Sequence, residues 1–118
     1  MALNKRFVRY LTGAWAYSTG YSWSTSTTAS STLSADIGVS ASSASGSLGV
    51  SRSVTKTYGI TVNIYADRKR MSKLGLYSDY NRYYVRSGVG YGGASPKSWK
   101  YAYLYSPRTN QYLLTTYK

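Results

Sequence analysis

Residues able to carry out acid–base or nucleophilic catalysis are scarce in this chain. It has three aspartates, Asp36, Asp67 and Asp79, and neither glutamate nor histidine. General acid–base catalysis draws mostly on histidine and carboxylates, and glycoside hydrolysis needs two carboxyl groups about 5–9.5 Å apart. Asp36 falls in a strand pattern, the other two fall in turn-like sequences, and no serine stands in a Gly-x-Ser-x-Gly signature. We therefore predict that the protein is not an enzyme. Because cysteine is absent as well, no cofactor is predicted.

A second set of residues, basic and aromatic, could bind an anionic partner. Fifteen Lys and Arg against three Asp give a net charge of +12, an excess whose self-repulsion a polyanion would relieve. Arginine offers a forked pair of N–H groups to phosphate, and exposed rings stack on bases or sugars. The cations predicted to bind a polyanion are Arg68, Lys69, Arg70, Lys73, Arg82, Arg86, Lys97, Lys100 and Arg108. The aromatic residues predicted to contact it are Tyr80, Tyr83, Tyr84 and Trp99.

Two parts of this set have a plainer interpretation. Tyr101, Tyr103 and Tyr105 alternate along a predicted strand and so share one face, where core packing with hydroxyls at the rim is favoured. For the charged run at residues 67–70, a solvated turn is the alternative to binding.

The elements that would position these residues are β-strands. From residue 21 to residue 41, every even position is Ser, Thr, Asp or Gly, while the odd positions are apolar, aromatic or Thr except for Ser31. This period of two indicates a strand. The alternation resumes on even positions from Leu48 to Ala66. A hairpin closing near residues 44 and 45 would set Ala41 opposite Leu48 and Val39 opposite Val50. The sequence thus predicts one long Ser/Thr-rich hairpin over residues 21–66.

This predicted hairpin also has the length and polarity of a membrane-inserting strand pair. Its stretch STSTTASSTLSADIGVSASSASGSLGVSRSVTKT resembles the Ser/Thr-rich stem hairpins of aerolysin-type β-pore-forming toxins. The resemblance implies a hairpin that inserts or oligomerises. Arg52 and Lys56 fall on its apolar face, so an ordinary hairpin of a soluble sheet is the other interpretation. The apolar positions concerned are Leu33, Ala35, Ile37, Val39, Ala41, Leu48, Val50 and Val54.

The C-terminal part, residues 67–118, predicts further hairpins. One would turn at residues 79–81 and another at residues 107–110, with a loop at 87–96 between them. No helix is predicted. The fold class expected is all-β, a single domain over residues 1–118 built as a small antiparallel sandwich or partly closed barrel.

These patterns predict a non-enzymatic, secreted, cationic β protein that binds an anionic membrane or cell-wall polymer, as an antimicrobial or pore-forming factor would, and that could form a homo-oligomer. Two alternatives stay open. One is a structural or assembly subunit of a phage, virion or filament that pairs sheet edges with its neighbours. The other is a nucleic-acid-binding protein that uses the Arg/Tyr face.

Overall fold

The computed structural model describes residues 1–89 and 98–118. Its elements are β1 (Ala2–Tyr10), β2 (Ala16–Tyr17), β3 (Gly20–Trp23), β4 (Thr27–Ser30), β5 (Thr32–Leu33), α1 (Ala41–Leu48), β6 (Ser53–Lys56), β7 (Val62–Tyr65), β8 (Met71–Val89) and β9 (Ser98–Tyr117). Every strand pair in the described part of the chain is antiparallel. The predicted all-β class is confirmed, and the described strands form open sheets.

The fold is organised around one long ribbon, β8 paired with β9. Their register runs from Ser72 opposite Tyr117 to Val89 opposite Ser98, and the molecule is 60 Å long. We call the Met71 end of this ribbon proximal and the Val89 end distal. On one side β1 and β2 pair with β8, and on the other β5 pairs with β9. Both long strands alternate aromatic, Leu and polar residues. This pattern is typical of strands in a sheet whose two faces are each only partly covered.

The two C-terminal hairpins predicted from turn residues do not exist, because both predicted turns lie within continuous strands. Ser78 pairs with Gln111 and Tyr80 with Pro107, so one residue of β8 faces three of β9 across a bulge. Asp79 lies at this bulge and accepts hydrogen bonds from Asn110 Nδ2 at 3.3 Å and from Tyr112 Oη at 3.0 Å. The two predicted turns therefore lie opposite each other at one bulge. Backbone that is unpaired in a bulge, like backbone in a turn, is hydrogen-bonded by side chains such as Asp and Asn. Of the predicted 87–96 loop, residues 90–96 lie outside the described residues.

The segment between residues 20 and 65 does fold back on itself, as predicted, but in another register. Gly20 pairs with Tyr65, and Thr27 pairs with Lys56. The predicted pairs Ala41–Leu48 and Val39–Val50 are wrong, because residues 41–48 form α1.

Local capping explains the helix. Ser40 Oγ accepts from the backbone N of Ser43 at 3.0 Å, and Gly49 ends the helix with a φ of 70° and hydrogen bonds from its N–H to Gly46 O and Ser45 O. The guanidinium of Arg52 packs where a Cβ on Gly46 would lie. The prediction that Arg52 lies on the apolar face of a strand is therefore wrong, and Arg52 lies against α1 instead.

The eight apolar positions of the predicted inserting hairpin are consequently dispersed. Leu33 lies in β5 and Val54 in β6, while Ile37 is buried in the segment before α1. Val39 and Leu48 are about half exposed and line an open groove beside Val85. The remaining members, outside any strand, are Ala35 before α1, Ala41 in its first turn and Val50 after its cap. They form no continuous apolar strand pair.

The ribbon is covered on opposite faces at its two ends. At the proximal end, β3, β4, β6 and β7 cover the face that bears Leu74 and Leu76; Tyr21 Oη and Ser72 Oγ share a hydrogen bond of 2.8 Å there. At the distal end, α1 and its flanking segments cover the other face, which includes the buried Ala102 and Leu104. β5 runs along the β9 edge in the distal half, where Thr32 pairs with Tyr105 and Leu33 with Leu104. In the part of the chain that the structure describes, no helix is long and apolar enough to cross a membrane.

Candidate polyanion-binding face

The distal half of the ribbon leaves one face uncovered, and basic and aromatic side chains occupy it. Directly paired residues of an antiparallel ladder share a face. The pairs Arg82–Tyr105, Tyr84–Tyr103, Arg86–Tyr101 and Gly88–Trp99 therefore define what we call the distal face. Its seven side chains are Arg82, Tyr84, Arg86, Trp99, Tyr101, Tyr103 and Tyr105.

Each guanidinium on the distal face lies over an aromatic ring. Arg86 lies 4.2 Å from the centre of the Trp99 ring, and Arg82 lies 4.5 Å from the centre of the Tyr103 ring. Tyr84 stacks on Tyr101 with ring centres 5.7 Å apart and 20° between the planes. These contacts run diagonally from β8 to β9, the direction that strand twist brings within reach.

β1 extends the distal face by one more cation. Arg6 lies 3.6 Å from the centre of the Tyr105 ring. A cation over a ring at an exposed site contributes only about 0.5–1 kcal/mol, so these contacts orient the guanidinium groups more than they stabilise the fold.

The rings of the distal face are open to solvent. Tyr84 is 61 % exposed, Tyr101 50 %, and Tyr103 and Trp99 41 % each. So large an exposed aromatic area on one face is unusual for a soluble surface and is typical of a binding site.

The carboxylates of the chain are engaged with partners other than the distal-face guanidiniums. Asp36 accepts from Gly38 N and Asp67 from Lys69 N, each at 2.9 Å. The backbone N–H of Lys5 donates to Asp79 and holds the pKa of that carboxyl below its usual range, with help from Tyr112. Conversely, the hydrogen bond that Tyr112 donates to Asp79 raises the pKa of the Tyr112 hydroxyl. The three aspartates therefore do not pair with the guanidinium groups of the distal face.

The structure brings together only part of the predicted binding set. Arg82, Arg86, Tyr84 and Trp99 share the distal face. Tyr80 was predicted to contact the partner, but it is 2 % exposed and its hydroxyl donates to Ser30 O, so that prediction is wrong. Burial also raises the pKa of the Tyr80 hydroxyl.

The other predicted members lie elsewhere. Tyr83 and Lys100 point to the opposite face, because they pair with Leu104 and Ser87. Arg108 lies in the β9 bulge. Lys97 lies outside the described residues. Arg68, Lys69 and Arg70 precede the proximal end of β8, about 50 Å of extended chain from Arg86.

Sequence reasoning missed four members of the candidate site. Tyr101 and Tyr103 were assigned to the core, and the structure shows them exposed. Tyr105 was assigned to the core as well, and it lies half-buried on the distal face. Arg6 was not selected because its proximity to Tyr105 depends on the pairing of β1 with β8. The strict alternation of Tyr101, Tyr103 and Tyr105 was the available signal, but alternation alone does not say which face is covered.

A second basic and aromatic cluster lies on the opposite face, near the proximal end. Lys73 is 4.6 Å from the centre of the Tyr10 ring and 4.9 Å from that of Trp15. Phe7 packs against Tyr77 with ring centres 5.5 Å apart. Lys73 is thus separated from Arg82 and Arg86, with which it was grouped.

No group of three or more Asp, Glu, His or Cys that could hold a metal ion is present within residues 1–89 and 98–118. Comparison with protein-family models, curated proteins and solved structures finds no match to this chain. The distal face therefore has to be interpreted from its own chemistry.

Proposed function

We propose that the protein is a non-enzymatic binder of phosphate-bearing polyanions and that the distal face is its contact surface. The observation that carries the proposal is the row of exposed rings with guanidinium groups stacked on them. Arg82 and Arg86 would donate paired N–H groups to phosphate oxygens. Their stacking on Tyr103 and Trp99 holds the guanidinium planes in place, so less side-chain entropy is lost when an anion binds.

The prediction of a secreted factor that acts on an anionic cell envelope is one form of this function, and it stays a prediction. So does the resemblance to pore-forming stem hairpins. In the structure, the apolar positions of that stretch are divided among β5, α1, β6 and the segments between them. Insertion would require the region to refold first, whereas binding through the distal face requires no rearrangement. We therefore base the proposal on the distal face.

The experiment measures binding of fluorescein-labelled long-chain polyphosphate by the intact chain. The double variant Arg82→Ala/Arg86→Ala should bind at least 10-fold more weakly, because it removes the two oriented guanidiniums of the ribbon. The matched control is Arg68→Ala/Lys69→Ala, which removes the same charge from two exposed residues beyond the proximal end.

Equal losses in both double variants would show that net charge alone drives binding, and would overturn the assignment to the distal face. Absence of polyphosphate binding by the unmodified protein near physiological salt would overturn the proposed function itself.

A further inference from the structure

The seven side chains that define the distal face are flat rings and cations, and none of the seven is aliphatic. Its ribbon members are arginines, tyrosines and one tryptophan, four of them with rings at least 41 % exposed. A surface that enters a bilayer presents an apolar band, with tyrosine and tryptophan confined to its rims. Rings carrying hydroxyl groups, each beside a guanidinium, suit instead a partner that is itself flat, polar at its edges and anionic.

The repeat along each strand adds a second constraint. Residues on one face recur every second position, about 6.7 Å apart. At this interval β8 presents Arg82, Tyr84 and Arg86, so a cation alternates with a ring. A polymer that alternates a phosphate with a planar group along its length matches this order, and a single-stranded nucleic acid is such a polymer.

The openness of the face decides between single and double strands. Stacking on Tyr84 or Tyr101 requires a base whose flat surface is free. In a duplex, each base is already stacked on its neighbours, and only base edges and the phosphate backbone are accessible. The exposed rings would then contribute little, and only the few cations of the face would act.

We infer that the distal face binds single-stranded nucleic acid, with bases stacked on its exposed tyrosines and Trp99 and with phosphates held by Arg82, Arg86 and Arg6. This inference rests on the proposed function and gives it a partner. Binding of this kind should show little preference for the base sequence of the nucleic acid, because every base has a flat surface that can stack. It should also be salt-sensitive, because phosphate contacts release counterions.

The test compares four probes on the intact chain: fluorescein-labelled oligodeoxythymidylate, a duplex of equal length, long-chain polyphosphate, and vesicles containing phosphatidylglycerol and a self-quenched dye. The single strand should bind at least 10-fold more tightly than either the duplex or a polyphosphate of equal charge. Tyr84→Ala/Tyr101→Ala should weaken single-strand binding at least 10-fold and leave polyphosphate binding within about 2-fold. Tyr84→Phe/Tyr101→Phe, which keeps the rings, should bind like the unmodified protein.

Tyr65→Ala is the matched control, because Tyr65 is 80 % exposed and lies on β7, away from the distal face. It should leave single-strand binding unchanged. Thermal unfolding of each variant confirms that it folds.

Three outcomes would overturn the inference. If polyphosphate and the single strand bind equally, the proposed function stands and the rings have no part in recognition. If the duplex binds as tightly as the single strand, the face recognises a phosphate backbone alone. If the vesicles bind and release dye while the oligonucleotide does not bind, the partner is a membrane.

Discussion

At the scale of single residues, Asp79 organises the irregular centre of the sheet. It is 3 % exposed, and besides Asn110 and Tyr112 it accepts a hydrogen bond from Lys5 N at 3.0 Å. Lys5 has a φ of 54° and lies within the β1 register shift between Leu3 and Arg6, where its N–H bonds to Asp79 and not to a ladder partner. One carboxylate thus completes both the β9 bulge and the irregular stretch of β1.

Asp79→Asn should therefore lower the free energy of unfolding by about 1–3 kcal/mol, because an amide in this place leaves hydrogen-bonding groups unsatisfied. The pKa of Asp79 is lowered in the folded state, chiefly by the Lys5 N–H. Its ionised form contributes stability above the unfolded pKa near 3.9, and that stability is lost as the pH falls through the folded pKa. Urea unfolding of both proteins between about pH 6 and about pH 2 measures the difference.

The difference in stability between the two proteins should shrink as the solution becomes more acidic. Asp36→Asn serves as the control, because Asp36 is exposed and accepts only from Gly38 N nearby. A constant difference across this pH range would show that the Asp79 charge does not contribute.

At the scale of elements, α1 is the part of the fold most dependent on its ends. It is eight residues long and rich in serine, and in water so short a helix is marginal on its own. Ser45 is its only buried residue, and Ser45 Oγ donates to Ala41 O. The caps at Ser40 and Gly49 therefore contribute a large share of its stability.

Ser40→Ala should destabilise the protein by about 1 kcal/mol through loss of the bond to Ser43 N. Gly49→Ala should cost roughly 1 kcal/mol as well, since its positive φ disfavours a side chain. Ser42→Ala is the control: Ser42 lies on the exposed side of α1, where alanine is the better helix former. Urea midpoints of the three variants measure these effects, and equal midpoints for Ser40→Ala and Ser42→Ala would contradict the capping argument.

Several residues that usually form turns lie within the two long strands, β8 and β9. Pro107 and Asn110 favour turns, and so do Asp79 and Asn81. Each set taken by itself predicts a reversal of the chain. In the ribbon, Asp79 and Asn110 lie in a single bulge. Asn81 and Pro107 are paired with the opposite strand, and the pairing continues to Val89 and Ser98.

At the scale of the whole molecule, the charge of +12 is spread along a body of 60 × 29 × 23 Å. Repulsion between these cations opposes folding and is screened by salt within about 10 Å at 0.1 M. We expect the melting temperature to rise as sodium chloride is increased from about 0.01 M to about 0.15 M.

Polyphosphate added at low salt should raise the melting temperature further, because a ligand of the folded state shifts the unfolding equilibrium. Each kcal/mol gained corresponds to roughly 4 °C for a domain of this size. Scanning calorimetry measures both effects. A melting temperature that falls as salt is added would mean that attractive pairs outweigh the repulsion.

Much of the chemistry could be predicted without the structure. The scarcity of acids and bases, the excess of cations and the alternation typical of strands are all local properties. Tyr84, Arg86 and Trp99 were selected for the candidate site by residue type alone. Tyr80 was selected by the same criterion and is buried, because residue type does not report which face of a strand its neighbours cover.

The sequence by itself determined that the chain forms antiparallel strands. A strand that alternates apolar and polar residues buries one of its two faces, and sheets with one solvated face are typically antiparallel. The sequence also determined the net charge of +12, from which we predict an anionic partner. Only the tertiary structure decided that β8 pairs with β9 along its whole length, that residues 41–48 form a helix, and that the cover changes faces at mid-ribbon. These outcomes depend on contacts between residues far apart in the chain: Thr27 with Gln111 and Ser51 with Ser106 hold the two covering layers in place. No local pattern records such contacts, because the same alternation is compatible with either face being covered.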